Sequence, residues 1–285
     1  MVFNRLKKYS EMVMFSHTLF SLPFAVMSVL WANNGLPDIK TFFWILIALF
    51  AARNGANAAN RIIDSEIDRK NPRTSKRHIP TGIIKRKEAI FVTSILFLVF
   101  EGAAYMINPL CFYLSPFALF IFLFYSYTKR FTWLSHLVLG IACGGAPVGG
   151  WIAITGKLSL TPFIIGAAVA FWIAGFDIIY GTQDIEFDRK ENLFSIPARF
   201  GFKNALRIAA IFHVLSIVIL FSLSLFIPTG FIYHIGILIC SILLLIEHRI
   251  VQPSQRGIMN WASYHINQII SMVFFVFSLT DFILK

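Results

Sequence analysis

The sequence predicts an all-α, polytopic membrane protein, and three observations carry that prediction. Only 14% of the 285 residues are charged, against 57% hydrophobic, where a soluble domain carries roughly 25% charged residues. The apolar residues fall in long runs and not in the stripes of a helix that buries one face. The basic residues gather between those runs, as membrane topology requires.

A spanning helix needs about 20 mostly apolar residues. Runs of that kind predict nine spans, at 13–31, 41–63, 88–106, 109–127, 134–154, 161–181, 205–226, 231–247 and 262–283. Turn-forming residues separate them: Asn33-Asn34-Gly35-Leu36-Pro37, Asn108-Pro109, Thr155-Gly156-Lys157 and Ile227-Pro228-Thr229-Gly230. The N-terminal residues run into the first apolar segment without a small-residue cleavage site, which reads as a retained first span. Cys111, Cys143 and Cys240 all lie inside apolar runs, an odd number without metal-ligand spacing. Small packing residues is the expected role.

The net charge of +11 invites a nucleic-acid partner, but the placement of the charges argues against one. With the N-terminus inside, the inner segments hold Arg5, Lys7 and Lys8, eight basic residues between 69 and 87, Lys129 and Arg130, five between 189 and 207, and Arg249 with Arg256. That makes 20, against Lys40, Lys157 and Lys285 outside. The bias predicts a cytoplasmic N-terminus in a cell membrane such as the bacterial inner membrane. One integral-membrane domain over 1–285, made of two pseudo-repeated halves, is the expected organisation.

The halves are marked by two acidic stretches. Asp64-Ser65-Glu66-Ile67-Asp68-Arg69-Lys70 and Asp184-Ile185-Glu186-Phe187-Asp188-Arg189-Lys190 share Asp-x-Glu-x-Asp-Arg-Lys at an offset of 120 residues. With Asp177 and Glu191, these stretches hold eight of the chain's 14 acidic residues. Each ends an outside-to-inside span, the second and the sixth, so both are expected at the cytoplasmic boundary, facing one cavity. Arg53, Asn57, Asn60, Asp64 and Asp68 are spaced to line one helical face, and Asp177, Tyr180, Asp184 and Asp188 repeat the register. Glu66 and Glu186 fall off those faces.

Carboxylates crowded at a helix C-terminus repel one another and oppose the negative end of the macrodipole. Something positive must be supplied. Arg69, Lys70, Arg189 and Lys190 would do so in an ordinary solvated face. That does not explain why the acids occur twice at matched spacing, with polar residues continuing deeper. Mg²⁺ does: it takes carboxylate and amide oxygens and completes its shell with water and substrate phosphates. Nearby arginines and lysines would clamp the remaining phosphate oxygens. A diphosphate site at a lipid boundary fits a substrate with a polar head and a long apolar tail, such as a polyprenyl diphosphate.

These residues resemble a known family. Asn60-x₃-Asp64-x₃-Asp68 followed by Pro72-Arg73-Thr74-x₂-Arg77 and Ile79-Pro80-x-Gly82 is similar to the first motif of the UbiA-type intramembrane prenyltransferases. Tyr180-x₃-Asp184-x₃-Asp188 with Ser195-Ile196-Pro197 and Phe200-Gly201 is similar to the second. The resemblance implies nine helices around a central cavity and Mg²⁺-dependent transfer of a prenyl group to an aromatic acceptor. It assigns Asn60, Asp64, Asp68, Asp184 and Asp188 to metal and diphosphate, with Asp64 also counted among the catalytic residues. Arg53 falls near the acceptor, Asp177 is a further cavity acid, and Lys129 is a diphosphate ligand. Arg73, Arg77, Asn57 and Tyr180 complete the expected substrate contacts. Phe15-Ser16-His17-Thr18 with Leu22-Pro23-Phe24 looks most like the 4-hydroxybenzoate polyprenyltransferase branch of quinone synthesis, and a 1,4-dihydroxy-6-naphthoate acceptor is the alternative. Arg61 stands where many members have an acid, and His78 where Arg-Pro is common.

Other readings predict different patterns. An ion-coupled transporter would place acids near mid-span on inverted repeats, whereas these helices run the same way. The Asp-x-x-Asp-Gly-x-x-Ala-Arg pattern of phospholipid head-group transferases is absent. The five glycines and Pro147 between Gly140 and Gly150 predict close helix packing, since no Gly-Lys-Ser/Thr follows them. His17, His213 and His265 read as packing residues. For Arg53, binding the acceptor's carboxylate and pairing with Asp177 are both open. For Asp177, cation stabilisation, removal of the ring proton and a structural pairing are open.

Overall fold

The computed structural model describes residues 8–13, 18–251 and 256–285, with side chains throughout except at 18–19 and 256–263. His17, and with it Phe15 and Ser16 of the N-terminal motif, lies outside the described residues. Every regular element described is helical. We label them α1 (Thr18–Asn33), α2 (Ile39–Ile63), α3 (Ser65–Lys70), α4 (Arg86–Ile107), α5 (Pro109–Thr128), α6 (Ser135–Thr155), α7 (Leu160–Gly181), α8 (Ile185–Lys190), α9 (Ile196–Ser222), α10 (Phe231–Ile250) and α11 (Arg256–Ile283). Short 3₁₀ turns occupy Thr182–Asp184 and Leu223–Leu225.

The nine expected spans each find a helix. Among the described residues eight are long and apolar enough to cross a membrane. The ninth, α1, has 16 described residues and follows directly on undescribed ones. Two boundaries differ from expectation. The seventh span starts at Ile196 and not at 205, because a short first segment joins it across Gly201. There φ is 76° and ψ 169°, a backbone that glycine alone adopts cheaply. The last helix starts six positions early, at Arg256. At the N-terminal end of α2, the Asp38 carboxylate accepts the Thr41 backbone N–H at 2.9 Å. Hydrogen bonds from the Thr41 side chain and backbone hold that carboxyl below its usual range.

The chain forms two compact units: residues 1–18 with 38–127, and residues 19–37 with 128–285. In the first, α2 packs on α4, and a Cβ on Gly55 would meet the Phe97 ring at 2.6 Å. In the second, α7 is the hub, packed by α6 on one side and α9 on another, with α10 against α11. Gly140 and Gly144 of α6 sit on the backbone of Ala170 and Gly166 of α7, where no Cβ would fit. This is the small-residue contact expected of helices that lack a hydrophobic driving force between them. Thirteen of the 22 residues of α7 are buried, so its end is held firmly where the second acidic stretch begins. Cys143 and Cys240 are buried and Cys111 partly so, all three as free thiols.

Candidate active site

The repeated sequence is a repeated backbone. In the first unit α2 stops at Ile63, and Asp64 sits at φ −91°, ψ 1° before α3 starts. In the second, α7 stops at Gly181, and after one 3₁₀ turn Asp184 sits at φ −100°, ψ 6° before α8 starts. Both aspartates thus occupy the sparsely allowed bridge region between the main wells, where functional residues are often found. The continuous helix that the spacing predicts is therefore a pair of helices with a joint at the first aspartate. The i, i+4 register survives it: Asp64 N–H donates to Asn60 O at 2.9 Å and Asp68 N–H to Asp64 O at 2.8 Å.

In the first stretch, Asp64 and Asp68 are each 4% exposed. A charge so placed must be paired or hydrogen-bonded, and both are. Asn60 Nδ2 donates to Asp64 Oδ2 at 2.8 Å and also lies 3.3 Å from Ser126 Oγ on α5. Tyr125 is close enough for Asp64, Arg61 and Arg53 all to act on it electrostatically. Asp68 is gripped by Arg77, whose Nη1 lies 2.7 and 2.8 Å from the two carboxylate oxygens. The loop that brings Arg77 back is folded on the same residue, with Thr74 Oγ1 donating to Asp68 O at 3.2 Å. Arg73 is exposed on that loop. Asn57 gives its amide N–H to Val13 O at 2.8 Å, tying α2 to the N-terminal segment. Glu66 points to solvent and pairs with Arg69 at 3.3 Å, the two side chains 68% and 59% exposed.

In the second stretch, Asp188 accepts from Ser195 Oγ at 2.8 Å. The same hydroxyl accepts the Ala198 N–H at 3.1 Å, so Ser195 caps α9 and holds the aspartate at once. Lys129, Asp184 and His136 are near enough to Asp188 to act on it electrostatically, and the Lys129 carbonyl accepts the Phe194 N–H at 2.7 Å. Arg189 is engaged by the backbone, its Nε donating to Ala198 O at 2.8 Å. Tyr180 and Asp184 are half-buried and Glu186 is exposed. Asp177 has a partner that the sequence did not suggest, His136 of α6, at 2.7 Å between Nδ1 and Oδ2.

The donor set suits a hard cation. It offers carboxylate and amide oxygens, and among the described residues no three His, Cys, Asp or Glu side chains converge as a ready cage. An ion would take one or two carboxylates from a stretch, with water and phosphate completing its shell, which is the habit of Mg²⁺ and not of a structural zinc.

Comparison with known proteins agrees. The profile described as the UbiA prenyltransferase family matches residues 21–274, a range containing both stretches. The chain is 27% identical over 272 residues to a 4-hydroxybenzoate octaprenyltransferase of Francisella tularensis subsp. tularensis, covering 92% of this chain and 93% of that one. It is 28% identical over 221 residues to an enzyme of the same name from Shewanella pealeana, covering 78% and 76%. The apo structure of a UbiA homologue from Aeropyrum pernix K1 superposes with a TM-score of 0.85 at 30% identity, covering 93% of this chain and 98% of that one. A UbiA homologue from Archaeoglobus fulgidus, solved with GPP and Mg²⁺, shares the fold at a TM-score of 0.69 and 22% identity, covering 96% and 99%. With spans, paired aspartate joints and family match in agreement, the chain belongs to the UbiA prenyltransferase family and is an integral-membrane prenyltransferase.

Proposed function

We propose that the protein transfers a polyprenyl group from polyprenyl diphosphate to 4-hydroxybenzoate, with Mg²⁺ as its metal, in quinone biosynthesis. One observation supports this most: the same aspartate-centred helix joint is built twice, with buried or half-buried aspartates and exposed glutamates in both copies. Asn60, Asp64, Asp68, Asp184 and Asp188 are the metal-binding residues in this reading. When bound, Mg²⁺ draws charge from the departing diphosphate. Arg73, Arg77, Lys129 and Tyr180 hold phosphate oxygens, the cations as fixed countercharges. Asp64 and Asp177, as carboxylates, stabilise the allylic cation left when the C–O bond breaks. Arg53, deep in α2, takes the acceptor's carboxylate, with Asn57 beside it. The acidic stretches and the N-terminus are on the cytoplasmic side, as the basic loops indicate.

The relatives named for 4-hydroxybenzoate favour that acceptor. The test is turnover by purified protein given a polyprenyl diphosphate, Mg²⁺ and either 4-hydroxybenzoate or 1,4-dihydroxy-6-naphthoate. Prenylated 4-hydroxybenzoate is the expected product. Product from the naphthoate alone would move the acceptor assignment, and none from either would refute the proposal.

A further inference from the structure

The contact between His136 and Asp177 has an asymmetry that helix packing alone does not require. The histidine side chain is 7% exposed and the aspartate side chain 27%, so the carboxylate is the outward end of the pair. A carboxylate only accepts, so a 2.7 Å contact requires the proton on His136 Nδ1. The other ring nitrogen, Nε2, is buried and has no hydrogen-bond partner among the described residues. Nδ1–H is thus the donor of the pair and the Asp177 carboxylate its acceptor.

Space for the ring is made by Gly181. A Cβ there would lie 3.0 Å from His136 Cε1 and 3.7 Å from Nε2. The backbone at Gly181 is ordinary helix, φ −67° and ψ −17°, which any residue adopts. Glycine costs roughly 1 kcal/mol in a helix relative to alanine, and conformation does not call for it here. The ring does. Asp177, Gly181 and Asp184 lie on successive turns of the second stretch, and His136 is near enough to Asp188 to act on it electrostatically. His136 thus inserts into the face that carries the second stretch's acids.

We propose that His136 is a positioning residue for deprotonation of the aromatic acceptor, an inference that rests on the prenyl-transfer reading above. Its Nδ1–H grips Asp177 Oδ2, leaving Oδ1 as the proton acceptor. The step balances within the two substrates. The prenyl C–O bond breaks with its electron pair going to the diphosphate, and ring π electrons form the new C–C bond. The ring C–H electrons then restore aromaticity, and the proton passes to Asp177 Oδ1 and on to water. His136 keeps its own proton throughout.

The test measures steady-state turnover of full-length protein with GPP, Mg²⁺ and 4-hydroxybenzoate, unlabelled or deuterated on the ring carbons beside the hydroxyl. Wild-type protein should show no isotope effect. His136→Leu should lower kcat by about tenfold to a hundredfold, the lower part of the range for proton-transfer groups, with KM for GPP unchanged. A primary isotope effect should appear as proton removal becomes limiting. His136→Asn, whose Nδ2–H replaces Nδ1–H, should recover most of the turnover and lose the isotope effect. Gly181→Ala, which displaces the ring without removing it, should fall between them. If His136→Leu does not fold, the Asn and Gly181→Ala variants carry the comparison. Wild-type kcat without an isotope effect in His136→Leu, or a His136→Asn protein as impaired as His136→Leu at equal thermal stability, overturns the proposal. Failure of the wild type to turn over indicts the prenyl-transfer reading instead.

Discussion

The first and second acidic stretches share seven-residue signatures and the same backbone joint, yet their last aspartates are held by different donors. Asp68 meets the cationic Arg77 at 2.7 Å, while Asp188 meets the neutral hydroxyl of Ser195 at 2.8 Å. The repeat explains why. It ends at Lys70 and Lys190, and adding its offset of 120 to Arg77 lands on Pro197. Beyond that point the first loop doubles back on Asp68, whereas the second closes quickly: Leu193 N–H donates to Asp188 O at 2.8 Å, bringing Ser195 within reach. A similar divergence lies just above each joint. Arg61 has its counterpart in Gly181, so one copy carries a cation beside Asn60 and the other leaves room for a histidine from α6. The two stretches thus share their aspartates and the backbone around them, and differ in what neutralises them. A charge-assisted pair holds one carboxylate tightly, and a single neutral donor leaves the other more of its negative charge to give to a ligand.

That contrast can be broken in order of expected effect. Asp184→Asn and Asp64→Asn should each lower kcat by about a thousandfold, worth about 4 kcal/mol of transition-state stabilisation, as read by product formation in the assay above. Chelating Mg²⁺ with EDTA should give a loss of the same order, and added Mg²⁺ should restore the activity. Arg77→Met strips a buried carboxylate of its cation and should destabilise the protein by about 2 kcal/mol, less than for a wholly buried pair because Arg77 is partly exposed; thermal unfolding in detergent measures this. Ser195→Ala removes one hydrogen bond and one helix cap and should cost about 1 kcal/mol by the same measurement. It should also weaken activation by Mg²⁺ by about tenfold, as losing a hydrogen bond to a metal-binding carboxylate does, an effect Arg77→Met should exceed only if charge and not orientation governs the site. Glu66→Gln and Glu186→Gln should leave turnover within about twofold, since exposed ion pairs are worth little.

The spans were legible in the sequence because apolar runs of membrane length seldom form anything but spanning helices, and the aspartate register because the offset of 120 is plain. The joints were not, since i, i+4 spacing is the same for a straight helix and for two helices sharing hydrogen bonds across Asp64. His136 was missed for a different reason. It stands 41 residues from Asp177 on another helix, and its only local sign is the proximity of the glycine run that lets α6 approach α7. The buried chain from Trp172 Nε1 to Asn267 Oδ1 at 2.7 Å, and from Asn267 Nδ2 to Glu247 Oε1 at 2.8 Å, was invisible likewise. An isolated acid at the end of an apolar run gives no hint of which helix will satisfy it. His213, read from sequence as a packing residue, finds His248 at 3.0 Å. Interactions within one element are written in its spacing, and those between elements are decided by packing.

If both stretches act on one Mg²⁺–diphosphate head, their aspartates must be energetically coupled. A double-mutant cycle tests this most directly, comparing kcat/KM for GPP in wild type, Asp64→Asn, Asp184→Asn and the double variant. Groups that act as a unit are strongly non-additive, so the double variant should be scarcely worse than either single one. Losses that simply multiply, or single variants with wild-type activity, would contradict a shared head.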